Sequence, residues 1–71
     1  MNRLKFKCSD QFYTGEVTPI GRNKVSIEFV GGIPKGIDTS LIEAFTPGGV
    51  KFLELTGFTT EYRRVDASLV L

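Results

Sequence analysis

Hydrophobic and polar residues alternate along several short stretches of this chain. The clearest is the segment 24–30, KVSIEFV, in which valine, isoleucine and phenylalanine take every second position. Alternation with a period of two places the apolar side chains on one face of a β-strand and the polar ones on the other. Two glycines follow and end the run. We therefore predict a half-buried strand here, and this strand sets the fold class.

Other segments have the same extended character. Residues 3–8 alternate basic with apolar side chains, and residues 12–20 follow after a polar turn. The glycine and asparagine of the segment 21–23 tolerate positive φ, which predicts a hairpin loop. Residues 50–55 carry apolar side chains in both alternations, as in a strand with two buried faces. Residues 58–71 are predicted to be extended as well.

Residues 40–45 allow two interpretations. Ser40 and Glu43 have the spacing of a capping box, and the apolar residues beside them would share one face of a short helix. The segment TPGG that follows would end such a helix, or it would form a tight turn between two strands. Helix and strand both stay open. The preceding segment 31–36, with three glycines and a proline, is predicted to be a loop.

The pattern as a whole predicts an all-β fold in a single small domain, residues 1–71. We expect five or six strands in a partly open barrel of the SH3-like kind or in a compact sandwich, with one short helical turn as an option. A mixed α+β fold is the alternative. Meander connections are expected because sequential strands usually pair. The predicted core is Leu4, Phe6, Cys8, Val17, Val25, Ile27, Phe29, Leu41, Phe45, Phe52, Leu55, Tyr62, Val65 and Leu69.

The residue types present argue against catalysis. Histidine is absent, which removes the commonest general acid–base group and the commonest metal ligand. The eight aspartates and glutamates are scattered singly. The loop 31–36 has the glycine spacing of a phosphate-binding loop, but Ile37 and Asp38 follow where lysine and serine or threonine belong. We predict no enzymatic activity, cofactor, metal site or small-molecule ligand.

The sequence also bears on where the protein works. Cys8 is the single cysteine, and its place among apolar residues predicts a small buried hydrophobe in a reducing compartment. The basic start of the chain is not followed by the apolar segment of a signal peptide, and no run is long enough to span a membrane. We expect a cytoplasmic protein without a membrane partner.

Basic residues suggest one candidate binding surface. Arg3, Lys5 and Lys7 form one face of the first predicted strand, and Arg63 and Arg64 would join them if the termini pair. Small barrels bind single-stranded nucleic acid with such cationic faces and stacking aromatics, here Tyr13, Phe58 and Tyr62. The net charge is only +1, and glutamates interleave with the cations. A solvated, aggregation-resistant edge strand is therefore the favoured interpretation of the basic face, and nucleic acid is the alternative.

The end of the chain suggests another surface. The residues Leu69, Val70 and Leu71 form an apolar strand with three interpretations: it pairs inside its own domain, which is the favoured one, it continues into a longer chain, or it meets a partner. Together with Phe58 and Tyr62 they are the candidate interaction edge. Addition of a partner strand would be the binding mode. The leading hypothesis is thus a non-enzymatic protein-interaction or assembly module, with a protein partner or self-association. A weak binder of single-stranded nucleic acid is the alternative.

One segment also resembles a known group of proteins. The run Gly57-Phe58-Thr59-Thr60-Glu61-Tyr62-Arg63 is similar to a pattern in small uncharacterised proteins encoded by phages and prophages of Gram-positive bacteria. The resemblance covers residues 41–71. It implies a phage accessory or structural protein and supplies no catalytic residues.

Overall fold

The computed structural model describes residues 2–37, 41–59 and 64–70. Six antiparallel strands close into a barrel, and the described residues form no α-helix. The predicted small all-β barrel is confirmed, and the barrel is closed rather than partly open. The strands are β1 (Asn2–Cys8), β2 (Gln11–Gly21), β3 (Lys24–Phe29), β4 (Ile42–Thr46), β5 (Gly49–Thr59) and β6 (Arg64–Leu69).

The strand order around the barrel is β1-β2-β3-β6-β5-β4. Each half of the chain is a three-stranded meander, and the halves meet at the pairs β1·β4 and β3·β6. The prediction that sequential strands pair is therefore wrong for β3 and β4, because the connection between them carries the chain to the far side of β1. As a consequence β1 and β6 lie three strands apart in either direction, on opposite sides of the barrel.

The ambiguous segment near residue 42 is a strand. β4 (Ile42–Thr46) pairs with β5 through a tight turn at 47–48, whereas residues 38–40 lie outside the described part. The Thr46 hydroxyl donates to the Gly49 carbonyl at 2.7 Å and accepts from the Gly48 backbone N–H at 3.2 Å. These bonds satisfy polar groups in the turn, so the segment 46–49 favours a hairpin over a helix end.

The core lies inside the barrel and is formed by alternate residues of every strand. Three residues of the predicted core do not belong to it. Leu41 and Phe52 are 54% and 43% exposed, and Phe45 is half-buried. The neighbouring residues Ile42 and Leu53 point inward instead, and Tyr62 lies outside the described residues. The buried residues are Phe6, Cys8, Val17, Ile27, Phe29, Ile37, Ile42, Ala44, Leu53, Val65 and Ala67.

The two ends of the barrel differ. The β3–β4 connection packs Ile33 and Ile37 against the core at one end, and Ile37 is only 3% exposed. At the other end, where β1 begins and β6 ends, an apolar cavity opens. One end is therefore closed by a loop, while the other leaves core side chains accessible.

Candidate functional site

The outer surface of β2, β1, β4 and β5 combines lysines with large apolar side chains. One cross-strand row places Lys7 of β1 between Phe12 of β2 and Glu43 of β4, and Phe52 of β5 follows Glu43. The adjacent row runs from Lys5 through Phe45 to Val50. We name the following six residues the lysine–aromatic face: Lys5, Lys7, Phe12, Phe45, Val50 and Phe52.

Ring and charge contacts hold this face together. The ring centroids of Phe12 and Phe45 are 5.9 Å apart. The ammonium groups of Lys5 and Lys7 lie 5.8 and 5.9 Å from the centroid of the Phe12 ring. A cation at this distance over a ring face is attracted by the ring quadrupole. The two lysines therefore flank an aromatic ring that is itself open to solvent.

Much of the face is accessible to a partner. Phe12 is 60% exposed, Val50 46% and Phe52 43%. Single exposed apolar residues are normal, whereas a connected group of them marks an interaction site. The cross-strand pairs above show that these residues are connected. The face is therefore the best candidate for binding within the described structure.

The sequence pattern explains why the lysines point outward. In β1, Leu4, Phe6 and Cys8 occupy the inner side of the barrel, so the alternate basic residues must lie outside. The prediction that Lys5 and Lys7 share one face is confirmed. Two aromatic residues of the lysine–aromatic face, Phe45 and Phe52, were missed because they were expected in the core.

The larger basic cluster expected from the sequence does not form. Arg64 lies in β6, on the opposite side of the barrel from β1, and Arg63 lies outside the described residues. Arg3 contacts Glu16 at 3.7 Å between Nη2 and Oε1. On the next strands around the barrel, Glu16 of β2 pairs with Glu28 of β3, and Glu28 pairs with Arg64 of β6. Each of these two arginines therefore has a glutamate as its cross-strand neighbour.

The aromatic residues expected beside the cations lie elsewhere. Tyr13 is half-buried on the inner side of β2 and packs edge-on against Phe29, with centroids 6.2 Å apart. Phe58 belongs to β5, where its backbone pairs with Val65. Tyr62 lies outside the described residues. The aromatic rings near Lys5 and Lys7 are instead those of Phe12 and Phe45, and the cross-strand register that brings them there is not a local property of the sequence.

The C-terminal strand is not a free edge. β6 pairs with β3 on one side and with β5 on the other. The Leu69 N–H donates to the Asn23 carbonyl at 2.8 Å, and the Val70 N–H donates to the Phe52 carbonyl at 2.9 Å. Leu69 packs against the core, Val70 is 47% exposed, and Leu71 lies outside the described residues. Strand addition to residues 64–69 is therefore the wrong binding mode, since the barrel already uses both edges of β6.

Comparisons were made with protein-family models, with curated proteins and with solved structures, and none gives a match. In residues 2–37, 41–59 and 64–70, no group of three or more histidine, cysteine, aspartate or glutamate side chains is placed to hold a metal ion. The same residues include no helix with the length and apolar character needed to cross a membrane.

Proposed function

We propose that this chain is a non-enzymatic protein-interaction or assembly module that docks a protein partner, or another copy of itself, on the lysine–aromatic face. The observation that carries the proposal is the connected exposure of Phe12, Val50 and Phe52 around two lysines. Aromatic residues are enriched in the centres of protein interfaces. A cytoplasmic setting and a role as a phage accessory or structural protein, as the resemblance implies, belong to the same proposal.

The binding mode is side-chain docking on the outside of a closed barrel. Strand addition requires an unpaired strand edge, and each of the six strands has a partner on both sides. Docking on a face requires only exposed apolar area and complementary charge. Lys5 and Lys7 favour a partner whose apolar surface is bordered by acidic side chains.

The test compares two double variants, each of which truncates two exposed apolar side chains to alanine. F12A/F52A removes the exposed rings of the face, whereas the control I20A/V30A removes two apolar side chains that are 51% and 58% exposed and do not belong to it. Self-association is measured first, by sedimentation equilibrium over a wide range of concentrations. Partners are then captured from the native host by cross-linking, purified and titrated by calorimetry.

We expect a protein partner to bind the wild type and the control variant with equal affinity, or both to self-associate equally. F12A/F52A should reduce that affinity at least tenfold. A tenfold loss corresponds to about 1.4 kcal/mol, well within the range of an interface hot spot. Equal binding by both variants would overturn the assignment of the face. The lack of any specific partner or self-association would overturn the function.

A second candidate is weak binding of single-stranded nucleic acid. One observation favours it: two ammonium groups flank the exposed Phe12 ring, which combines a stacking platform with phosphate-binding cations. Glu43 in the same row and the net charge of +1 oppose it. Titration with a thymidine oligonucleotide should then show that the logarithm of the association constant falls with the logarithm of the salt concentration, at a slope of about −1.4 for two phosphate contacts. K5Q/K7Q should abolish the salt dependence, and a salt-independent wild type would exclude this function.

A further inference from the structure

The open end of the barrel holds a cavity of about 110 Å³, and side chains of all six strands line it. Leu4, Val25, Leu53 and Leu69 are among them, and the lining surface is entirely apolar. Thr46 is also a lining residue, and its hydroxyl is bonded within its own turn, where it accepts from the Gly48 N–H and donates to the Gly49 carbonyl. A buried water needs two to four polar partners, so water is poorly held in such a space. An apolar group would displace it favourably.

A lysine stands at the mouth of this cavity. Lys51 pairs with the inward-facing Ala44 and has the same alternation in β5 as the buried Leu53. Its side-chain carbons line the cavity, while the residue as a whole is exposed. Long basic side chains keep their stems on apolar surface and their charges in water. Among the described residues the one ion pair is Arg3–Glu16, so no described carboxylate pairs with Lys51.

We propose that this end of the barrel binds a small aliphatic monocarboxylate, with its hydrocarbon chain in the cavity and its carboxylate at the Lys51 ammonium. Apolar cavities of roughly 150 Å³ accept benzene, and the present one is smaller but open to solvent. It therefore suits an aliphatic chain of about four carbons with the charged end outside. This site does not depend on the lysine–aromatic face.

The probe is pentanoate, followed by ¹⁵N-resolved NMR titration of the intact chain, with pentan-1-ol as the uncharged comparison. We expect saturable shifts at the amides of Leu4, Val25 and Leu69 for both, with pentanoate binding more tightly. K51M keeps the apolar stem and removes the charge, so pentanoate should lose about fivefold in affinity and pentan-1-ol little. K24M, which removes an exposed lysine of β3, is the matched control and should bind as the wild type does.

A variant that fills the cavity tests the location. A44L places a larger side chain among the lining residues and should abolish binding of both probes. If A44L does not fold, L69F provides the same test from β6. Absence of saturable shifts in the wild type would overturn the site, and equal affinity of K51M and the wild type for pentanoate would overturn the carboxylate preference. Binding that persists in the folded filled variant would place the ligand elsewhere.

Discussion

The rings of Phe12 and Phe45 meet on the outside of the barrel with their centroids 5.9 Å apart, although their strands are not neighbours. β1 lies between β2 and β4, and the contact crosses it diagonally, because Phe12 is the cross-strand neighbour of Lys7 and Phe45 that of Lys5. The contact joins apolar side chains on the outside of a protein whose core is already formed.

The first prediction concerns the contribution of this ring pair to stability. Because Phe12 is 60% exposed, F12A should lower the free energy of unfolding by less than about 1 kcal/mol. A double-mutant cycle of F12A and F45A should give a coupling of about 0.5–1 kcal/mol. Urea denaturation of the four proteins measures both quantities. A loss above about 2 kcal/mol for F12A alone would assign the ring to folding rather than to binding.

The second prediction concerns a close approach inside the barrel. A Cβ atom at Gly15 would lie 2.8 Å from Cγ2 of Ile27 and 3.1 Å from Cε2 of Phe6. Both neighbours are fully buried and cannot move aside freely. G15A should therefore destabilise the protein by about 1–3 kcal/mol.

Gly57 is the matched control for Gly15, because a Cβ there would meet nothing within 4 Å. G57A should leave the free energy of unfolding unchanged or raise it by up to about 1 kcal/mol, because alanine reduces the conformational entropy of the unfolded chain. Thermal denaturation distinguishes the two variants. Equal effects of G15A and G57A would show that the core around Ile27 has room for a methyl group.

The third prediction concerns the β1–β2 hairpin. Cys8 pairs with Gln11, which leaves a two-residue loop whose members, Ser9 and Asp10, have φ values of 51° and 64°. Positive φ at both central positions is characteristic of a type I′ turn. Glycine is the preferred residue at the second of these positions. D10G should raise the free energy of unfolding by about 0.5 kcal/mol, since relief of the left-handed conformation exceeds the added entropy of the unfolded chain.

The same substitution in a strand should have the opposite sign. Asp66 lies inside β6, so D66G should lower stability by about 0.5–1 kcal/mol. Chemical denaturation of both variants under the same conditions is the measurement. If D10G were also destabilising, the Asp10 side chain would contribute more to the turn than its backbone conformation costs.

Local patterns in the sequence predict the first half of the barrel well and the second half less well. In β1 and β3 apolar residues occupy a single alternation, so the inner faces follow directly from the order of residues. In β5 the residues Val50, Phe52, Leu53 and Leu55 place apolar side chains in both alternations. Either face can then be buried, and periodicity alone does not choose between them.

Pairing between distant strands makes that choice. Leu53 lies opposite Ile42 in β4 and Leu69 in β6, and all three face the core. Closure through β1·β4 and β3·β6 also removes the free edges and separates Arg64 from the lysines of β1. These contacts join residues far apart in the sequence. For that reason the fold class was predictable, whereas the position of the lysine–aromatic face was not.

The fourth prediction tests the orientation of β5 with two adjacent residues. Leu53 is 4% exposed and faces the core, whereas Phe52 is 43% exposed and belongs to the lysine–aromatic face. L53A should lower the free energy of unfolding by about 2–5 kcal/mol because it removes buried carbon and leaves a cavity. F52A should cost less than about 1 kcal/mol, although it removes the larger side chain. Equilibrium urea unfolding with a common m-value measures the difference. A larger loss for F52A than for L53A would mean that β5 presents its other face to the core, and the lysine–aromatic face would lose Phe52.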